Sequence, residues 1–141
     1  MLPIIIGNMF EWFDFTLYGF FATTIARQFF PPGNEKMATL AAAATFGVAF
    51  VMRPVGAVAF GLIGDHWGRK TALTFTFALM ALGTAMIGLA PNFASAGIFA
   101  TAILVLGRLL QGFSASGEVG SALSLLIESS APERRGVAAV V

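Results

Sequence analysis

The sequence predicts an all-α transmembrane protein with four membrane-spanning helices and the start of a fifth. Hydrophobic residues make up 57% of the 141-residue chain and charged residues only 11%, whereas about 25% of residues are charged in a soluble domain. The mean hydropathy is +0.85, and the apolar residues occur in long runs separated by short polar turns. A helix of about 20 apolar residues crosses a bilayer core of about 30 Å, so each long run is a candidate span.

The first two spans are predicted from the places where apolar runs stop. The first covers residues 3–29 and ends in FFPPGNEK, because the prolines and the glycine break a helix and the charged residues favour water. The second covers residues 37–63 and ends at GDHWGRK, residues 64–70, which predicts a tight polar turn.

The next two spans lie in a segment without formal charge between Lys70 and Arg108. The dipeptide Pro-Asn at 91–92 marks a turn inside it, so the third span is predicted at residues 71–90 and the fourth at residues 96–127. The polar segment SSAPERRG, residues 129–136, then leads to the predicted start of a fifth helix at residues 136–141.

The orientation is predicted from the basic residues in the loops. Four of them lie in the 64–70 and 129–136 loops, and two lie at the other membrane face. Cytoplasmic loops carry an excess of lysine and arginine, so the 64–70 and 129–136 loops are predicted to be cytoplasmic. The four are Arg69, Lys70, Arg134 and Arg135, and the two are Arg27 and Lys36.

Composition and motifs exclude several classes of function. The chain has no cysteine and one histidine, which excludes disulfide frameworks, cysteine nucleophiles and Cys/His metal clusters. The net charge of +1 does not indicate nucleic acid binding. Neither a phosphate-binding lysine loop nor a dinucleotide fingerprint is present. We therefore expect a protein of the lipid bilayer that is not an enzyme and has no cofactor or metal.

The first two spans place charged side chains at mid-membrane. At about 1.5 Å of rise per residue, Glu11 and Asp14 lie about 12 Å and 16 Å into the first span. Arg53, counted from the other end of the second span, lies at about 18 Å, in the same layer. Glu11, Asp14 and Tyr18 share one face of the first helix because their spacing is i, i+3, i+7.

The fourth span repeats this arrangement with Arg108, Gln111 and Glu118 on one face. A purely structural interpretation pairs Glu11 or Asp14 with Arg53, and Arg108 with Glu118. The alternative is a translocation path, because intramembrane charges normally face a partner or a water-filled cavity. A buried carboxylate can bind and release a proton, and arginine suits a carboxylate on a substrate. The whole set at one depth favours the path.

Two further features of the helices concern packing. Small residues recur at every fourth position of the fourth span, which predicts a close helix contact. Pro54, which follows Arg53, predicts a local weakening of the second helix. The small residues are Gly112, Ser116, Gly120 and Ser124.

Five segments resemble known motifs. GLIGDHWGRK (61–70) resembles the loop between helices two and three of the major facilitator superfamily, and RLLQGFSASGE (108–118) resembles its fourth-helix motif. GNMFEWFDFTLYG (7–19), RPVGA (53–57) and IESSAPERRG (127–136) are similar to its metabolite:proton symporter branch. That branch contains permeases for citrate, 2-oxoglutarate, shikimate and betaine or proline in bacterial inner membranes.

The resemblance implies a symporter that couples a proton to a small organic acid or a zwitterionic osmolyte and alternates between outward-open and inward-open forms. It implies a substrate and proton site and, in the 61–70 loop, a cytoplasmic latch in which the aspartate pairs with the other half of the protein. Gly61 would permit a close helix contact. The implied site is Glu11, Asp14, Arg53, Arg108 and Glu118, and the implied latch is Gly61, Asp65, Gly68, Arg69 and Lys70.

The resemblance also bears on domain organisation. A complete member has twelve spans in two halves, so we expect residues 1–141 to form one N-terminal transmembrane bundle of a truncated transporter, whose C-terminal half is missing. Two other classes remain open: a small four-span exporter acting as a dimer, and a membrane assembly subunit that does not transport.

Overall fold

The computed structural model describes residues 2–129, and within them the side chains of residues 6–120. This part of the chain is almost entirely helical and contains no strand. The helices, in chain order, are α1 (Leu2–Phe20), α2 (Ala22–Phe29), α3 (Glu35–Trp67), α4 (Arg69–Gly88), α5 (Phe93–Ala96) and α6 (Ile98–Ser129). The predicted start of a fifth span at 136–141, and the 129–136 loop after its first residue, lie outside the described residues.

The segment predicted as one span at residues 3–29 is divided at Phe21 into α1 and α2. Phe21 has φ −94° and ψ 13°, which departs from helical geometry. The helical hydrogen bonds nevertheless continue across it, from Phe21 N to Leu17 O (2.9 Å) and from Ile25 N to Phe21 O (2.8 Å). The departure is therefore a local bend. Gly19, two residues earlier, is a weak helix former and gives only a faint signal for it in the sequence.

Helix α3 starts and ends at residues whose chemistry explains its limits. Asn34 caps its start by accepting a hydrogen bond from Met37 N at 3.2 Å. Gly68 ends it with φ +91°, a conformation that favours glycine, and α4 begins at the next residue. Pro54 lies inside α3, and the helix continues past it.

The end of α2 and the start of α6 meet at the end of the bundle opposite to Gly68. The short helix α5 is capped by Asn92, whose side chain accepts a hydrogen bond from Ser95 N at 3.0 Å. Thr101 Oγ1, in the first turn of α6, donates a hydrogen bond to Phe29 O at the end of α2. The α2–α3 loop and the α4–α6 connection therefore lie at the same end of the bundle.

Helix α6 is the central helix and packs along both α3 and α4. The contacts are backbone to backbone: a Cβ at Gly112 would collide with Ala49 O of α3, and one at Gly83 would lie 2.9 Å from Gly107 O. The predicted close contact is therefore present at Gly112. Gly120 meets no described atom, and the side chain of Ser124 lies outside those described.

Three of the described helices are long and apolar enough to cross a membrane: Glu35–Trp67, Arg69–Gly88 and the Ile98–Gly120 part of α6. Helix α1 is not among them, and it carries Asn8, Glu11 and Asp14 among its apolar residues. Large apolar side chains, including Phe10, Trp12 and Phe20, are exposed on the outside. This distribution suits a surrounding of lipid.

Candidate functional site

The intramembrane charges predicted from the sequence come together where α1 crosses α3 and α6. Arg53 Nη2 of α3 donates to Glu11 Oε1 of α1 at 2.8 Å. The Glu11 side chain is 6% exposed and that of Arg53 is 33% exposed. The carboxylate is therefore the buried member of this ion pair.

The second ion pair joins α1 to α6. Arg108 Nη1 donates to Asp14 Oδ2 at 2.7 Å, and here the arginine is the buried member, with 4% of its side chain exposed against 25% for Asp14. The structural interpretation that pairs Arg108 with Glu118 is wrong. The two residues are ten positions apart on one helix, or about 15 Å along its axis, whereas α1 crosses α6 beside Arg108.

Each guanidinium also faces an aromatic ring that lies four residues after its carboxylate partner. Arg53 Cζ lies 5.0 Å from the centroid of the Phe15 ring, and Arg108 Cζ lies 3.9 Å from that of Tyr18. Each arginine is thus held by a carboxylate from one turn of α1 and by a ring from the next turn. These cation–π contacts hold the arginines in addition to the ion pairs.

Two of the arginine-contacting rings were missed by sequence reasoning. Phe50 of α3 lies 4.7 Å from Arg53 Cζ, and Phe15 contacts Phe50 at 5.4 Å between centroids. The sequence carried a signal for both rings. Phe15 is four residues after Glu11 and Phe50 is three before Arg53, so each ring lies next to a charged residue on the surface of its helix. Tyr18, which is predicted to share one face of the first helix with Glu11 and Asp14, is buried and donates its hydroxyl to Ala42 O at 3.0 Å.

Glu118 belongs to neither ion pair. It is 2% exposed, and it forms no ion pair or hydrogen bond with any described residue. Its carboxyl group lies against Gly7 of α1 and beside Phe77 of α4. Gln111, which is predicted on the same helix face as Arg108 and Glu118, donates from Nε2 to Thr84 Oγ1 at 2.9 Å.

Polar atoms without partners are concentrated around these contacts. Both donors and acceptors are present, so the site can bind water or a polar ligand that presents both kinds of group. Among the described residues, the buried side-chain nitrogen and oxygen atoms without a hydrogen bond are Glu11 Oε2, Arg53 Nε, Arg108 Nε, Gln111 Oε1 and Glu118 Oε1.

A groove of about 610 Å³ runs between α1 and α4 and reaches Asp14 and Thr84. Its volume is in the range of about 300–1,000 Å³ that small-molecule sites occupy. Most of its lining is apolar, contributed by residues such as Phe13 and Met80. The few polar groups would therefore orient a ligand that occupied it.

The predicted latch residues lie at the end of the bundle where α3 turns into α4. Asp65 and Arg69 form an ion pair at 2.7 Å, and Gly68 makes the turn between them. Lys70 is exposed. The expected close contact at Gly61 is absent from the described part of the chain, because a Cβ at Gly61 would meet no described atom, whereas the neighbouring Phe60 packs against Gly117.

No group of three or more histidine and acidic residues is arranged to hold a metal ion in the described part of the chain. Glu11 and Asp14 instead each face an arginine. The arrangement therefore suits proton and organic-ion chemistry.

Comparison with known proteins agrees with the geometry. Residues 1–141 match the family model described as sugar (and other) transporter. The chain is 45% identical over 136 residues to the citrate-proton symporter of Salmonella typhi, covering 96% of the chain and 31% of that protein. It is 43% identical over 136 residues to the citrate-proton symporter of Klebsiella pneumoniae, covering 96% and 31%.

A relative with a differently named substrate is equally similar. The chain is 42% identical over 131 residues to the proline/betaine transporter of Salmonella typhimurium, covering 93% of the chain and 26% of that protein. The chain thus spans between 26% and 31% of the length of these relatives. No solved structure matches it.

Proposed function

Because this chain belongs to the sugar (and other) transporter family of the major facilitator superfamily, we propose that it forms part of a proton-coupled symporter for a small organic metabolite. The family and the named relatives are transporters, not enzymes. In this proposal residues 1–141 act as the N-terminal transmembrane bundle, and the remaining length of the relatives corresponds to the rest of the transporter.

The observation that carries the proposal is the pair of ion pairs that join α1 to α3 and α6. Buried charges are costly in a membrane and mark substrate or ion pathways. Here Glu11–Arg53 and Asp14–Arg108 lie next to each other on α1 and retain unpaired nitrogen and oxygen atoms. Such buried unpaired atoms are available to water or to a polar ligand.

The arginines indicate the substrate class. Citrate, proline and betaine, which are named for the relatives, all carry a carboxylate, and a guanidinium binds a carboxylate through a planar pair of donors. Arg53 is the more accessible of the two arginines, with 33% of its side chain exposed. We therefore propose an organic acid or a zwitterionic osmolyte as the substrate.

The attachment of α1 suggests how binding couples to movement. Helix α1 has few contacts with α3 and α6, and the two ion pairs are among them. A substrate carboxylate that competes for Arg53 or Arg108 would loosen α1 from its neighbours. Substrate binding would in this way be linked to a movement of α1.

The remaining parts of the proposal concern the membrane. The protein would lie in the bacterial inner membrane with the 64–70 and 129–136 loops in the cytoplasm. Asp65, Arg69 and Lys70, with the turn at Gly68, would then form a cytoplasmic latch. The side chain of Asp65 is 59% exposed. It is therefore accessible to a basic residue that would replace Arg69 as its partner.

Uptake into proteoliposomes tests the proposal. The complete gene product that carries this chain is expected to accumulate labelled citrate, proline or betaine when a proton gradient is imposed, and to stop when the gradient is collapsed. Asp14→Asn should abolish accumulation, because it leaves the buried Arg108 charge without its partner.

The control is Glu35→Gln, which removes an exposed ion pair with Arg27 and should leave uptake unchanged. Absence of gradient-driven uptake for all three substrates would contradict the proposal. Uptake by the 141-residue chain alone would favour the dimeric four-span exporter, and binding to other membrane proteins without any uptake would favour the assembly subunit.

A further inference from the structure

The groove between α1 and α4 has polar residues at the same level on both of its walls. A Cβ at Gly7 of α1 would collide with the Phe77 ring of α4, so the two helices meet there. Both helices start at the Gly68 end of the bundle. Asp14 is seven residues after Gly7, and Thr84 is seven residues after Phe77. Each interval spans about 10.5 Å of helix, so Asp14 and Thr84 lie on opposite walls at about the same level.

The hydroxyl group of Thr84 has a proton to donate into the groove. Gln111 Nε2 donates to Thr84 Oγ1 at 2.9 Å. The buried Gln111 side chain is fixed against Gly83, where a Cβ would lie 3.0 Å from Gln111 Cγ. Thr74 of the same helix donates its hydroxyl to Lys70 O, whereas Thr84 is the acceptor in its side-chain hydrogen bond with a described residue. Its own proton is therefore available to an acceptor in the groove.

A second donor at this level belongs to Arg108. Its Nη1 binds Asp14, and its Nε has no hydrogen-bond partner among the described residues. Arg108 and Gln111 are three positions apart, so they lie on one face of α6 within a single turn. A carboxylate that competes for Arg108 can therefore be bound by a guanidinium and by the Thr84 hydroxyl.

The rest of the groove offers nothing to a second carboxylate. Phe13, Phe77 and Met80 line it, and the described lining residues include no lysine, arginine or histidine. Another carboxylate would lose its water there without meeting a cation. A ring or a methylated ammonium group would instead pack on the aromatic side chains.

Resting on the proposed function, we infer that the substrate is a monocarboxylate with a ring or a methylated body, such as proline or betaine, and not a tricarboxylate such as citrate. Its carboxylate binds at Arg108 and Thr84, and its body lies in the groove against Phe77. Thr84 and Phe77 are the residues that determine this specificity.

Isothermal titration of the complete gene product in detergent tests the substrate class. Proline or betaine is expected to bind, and so is cyclopentanecarboxylate, which has a five-membered ring without the nitrogen of proline. Citrate should bind at least about 10-fold more weakly, because its additional carboxylates meet no cation. Citrate binding as tight as that of the monocarboxylates, or no binding of cyclopentanecarboxylate, overturns the inference.

Thr84 is tested by removing its hydroxyl and then restoring it. Thr84→Val should weaken the binding of cyclopentanecarboxylate about 10- to 100-fold, because a hydrogen bond to a charged group is lost. Thr84→Ser keeps the hydroxyl and should restore most of the affinity. The control Thr74→Val loses only a bond within its own helix and should bind normally. Equal affinities of Thr84→Val and Thr74→Val, or no restoration by Thr84→Ser, overturn the role of Thr84.

Phe77 is tested by its effect on selectivity. Phe77→Leu should weaken the binding of cyclopentanecarboxylate and leave that of citrate unchanged, because the ring contacts the body of the substrate and not its carboxylate. Phe75→Leu is the control, because the Phe75 ring contacts Trp67 at the Gly68 end of the bundle. An unchanged ratio of the two affinities in Phe77→Leu overturns the role of Phe77.

Cysteine labelling distinguishes a substrate groove from a surface that the rest of the transporter covers. Residues 1–141 contain no cysteine, and any others in the complete gene product are replaced. Thr84→Cys should react with N-ethylmaleimide, and saturating cyclopentanecarboxylate should slow this reaction but not that of Thr74→Cys. No reaction at Thr84→Cys, or a reaction that the ligand leaves unchanged, overturns the inference. Binding and protection without gradient-driven uptake would instead contradict the proposed function and keep the groove as a binding site.

Discussion

Arg108 has surroundings that leave little room for a different cation. It is 3% exposed, it binds Asp14 at 2.7 Å, and its guanidinium lies over the Tyr18 ring. We expect Arg108→Lys to weaken substrate binding about 10- to 100-fold, because a hydrogen bond to a charged group contributes about 1.5–3 kcal/mol. The lysine ammonium group is also not planar, so it cannot stack on the Tyr18 ring and bind the Asp14 carboxylate in the way that a guanidinium does.

Isothermal titration of the complete gene product with citrate, proline and betaine would measure this change. Arg27→Lys is the matched control, because Arg27 forms an ion pair with Glu35 at 2.9 Å but its side chain is 73% exposed. Exposed pairs contribute about 0–1 kcal/mol. Equal affinities for the two variants would show that Arg108 is structural.

Tyr18 makes two contacts, one through its hydroxyl and one through its ring, and two different substitutions can test them separately. Its hydroxyl binds Ala42 O, while its ring covers Arg108. Tyr18→Phe should lower the free energy of unfolding by about 0.5–1.5 kcal/mol through the lost hydrogen bond and leave substrate affinity unchanged. Tyr18→Leu removes the ring as well and should weaken both. Thermal unfolding in detergent, combined with titration, distinguishes these outcomes.

An equal loss of affinity in Tyr18→Phe and Tyr18→Leu would contradict this division of roles. It would mean that the hydroxyl contacts the substrate, and that the bond to Ala42 is exchanged during binding.

How far the site could be predicted depends on what helical spacing specifies. Spacing placed Glu11 and Asp14 on one face of α1, and depth placed Arg53 in the same layer, and the structure pairs Arg53 with Glu11. Spacing does not specify where two helices cross. The partner of Arg108 was therefore assigned to its own helix, whereas the crossing helix supplies Asp14.

At the scale of helices, glycines set how closely α3 and α6 approach. A Cβ at Gly56 would collide with Phe113 O and lie 2.5 Å from Ser116 Oγ, whereas one at Gly61 of the same helix meets no described atom. We expect Gly56→Ala to lower the free energy of unfolding by about 1–3 kcal/mol, as overpacking does. Gly61→Ala should be neutral, or stabilising by up to about 1 kcal/mol through helix propensity.

Thermal unfolding of the 141-residue chain in detergent would compare the two variants. Equal stability would contradict the close packing of α3 on α6. If Gly61→Ala is neutral in this chain but impairs the complete gene product, the close contact expected at Gly61 is made by a segment outside the described residues.

The helix limits show which local signals a sequence carries. The turn between α3 and α4 was expected within residues 64–70, and it lies at Gly68, where a positive φ requires glycine. The bend at Phe21 was not expected. No proline or charged residue lies beside it, and the helical hydrogen bonds around it are kept, so composition alone gave one continuous span at residues 3–29.

At the scale of the whole molecule, the arrangement of charge and apolar surface is the reverse of that in a soluble protein. Glu11, Arg108 and Glu118 are buried, while large apolar side chains such as Trp12 and Leu89 are exposed. The hydrophobic effect cannot drive such an arrangement in water. It requires lipid around the bundle, with the polar groups inside paired or facing a cavity.

The orientation of this bundle in the membrane can be tested because the chain contains no cysteine, so that single cysteines report on one site each. Pro32 lies in the α2–α3 loop and Ala94 in α5, both exposed, at the end where Thr101 binds Phe29. His66 is exposed at the opposite end, beside Gly68.

If the 64–70 loop is cytoplasmic, Pro32→Cys and Ala94→Cys should react with an impermeant maleimide in intact cells. His66→Cys should react only after the membrane is permeabilised. Labelling of Ala94→Cys together with His66→Cys would contradict the bundle itself, because the two positions lie at opposite ends of α4. A consistent but reversed pattern would keep the bundle and invert its orientation, and it would then move the proposed latch at Asp65 and Arg69 to the outer face.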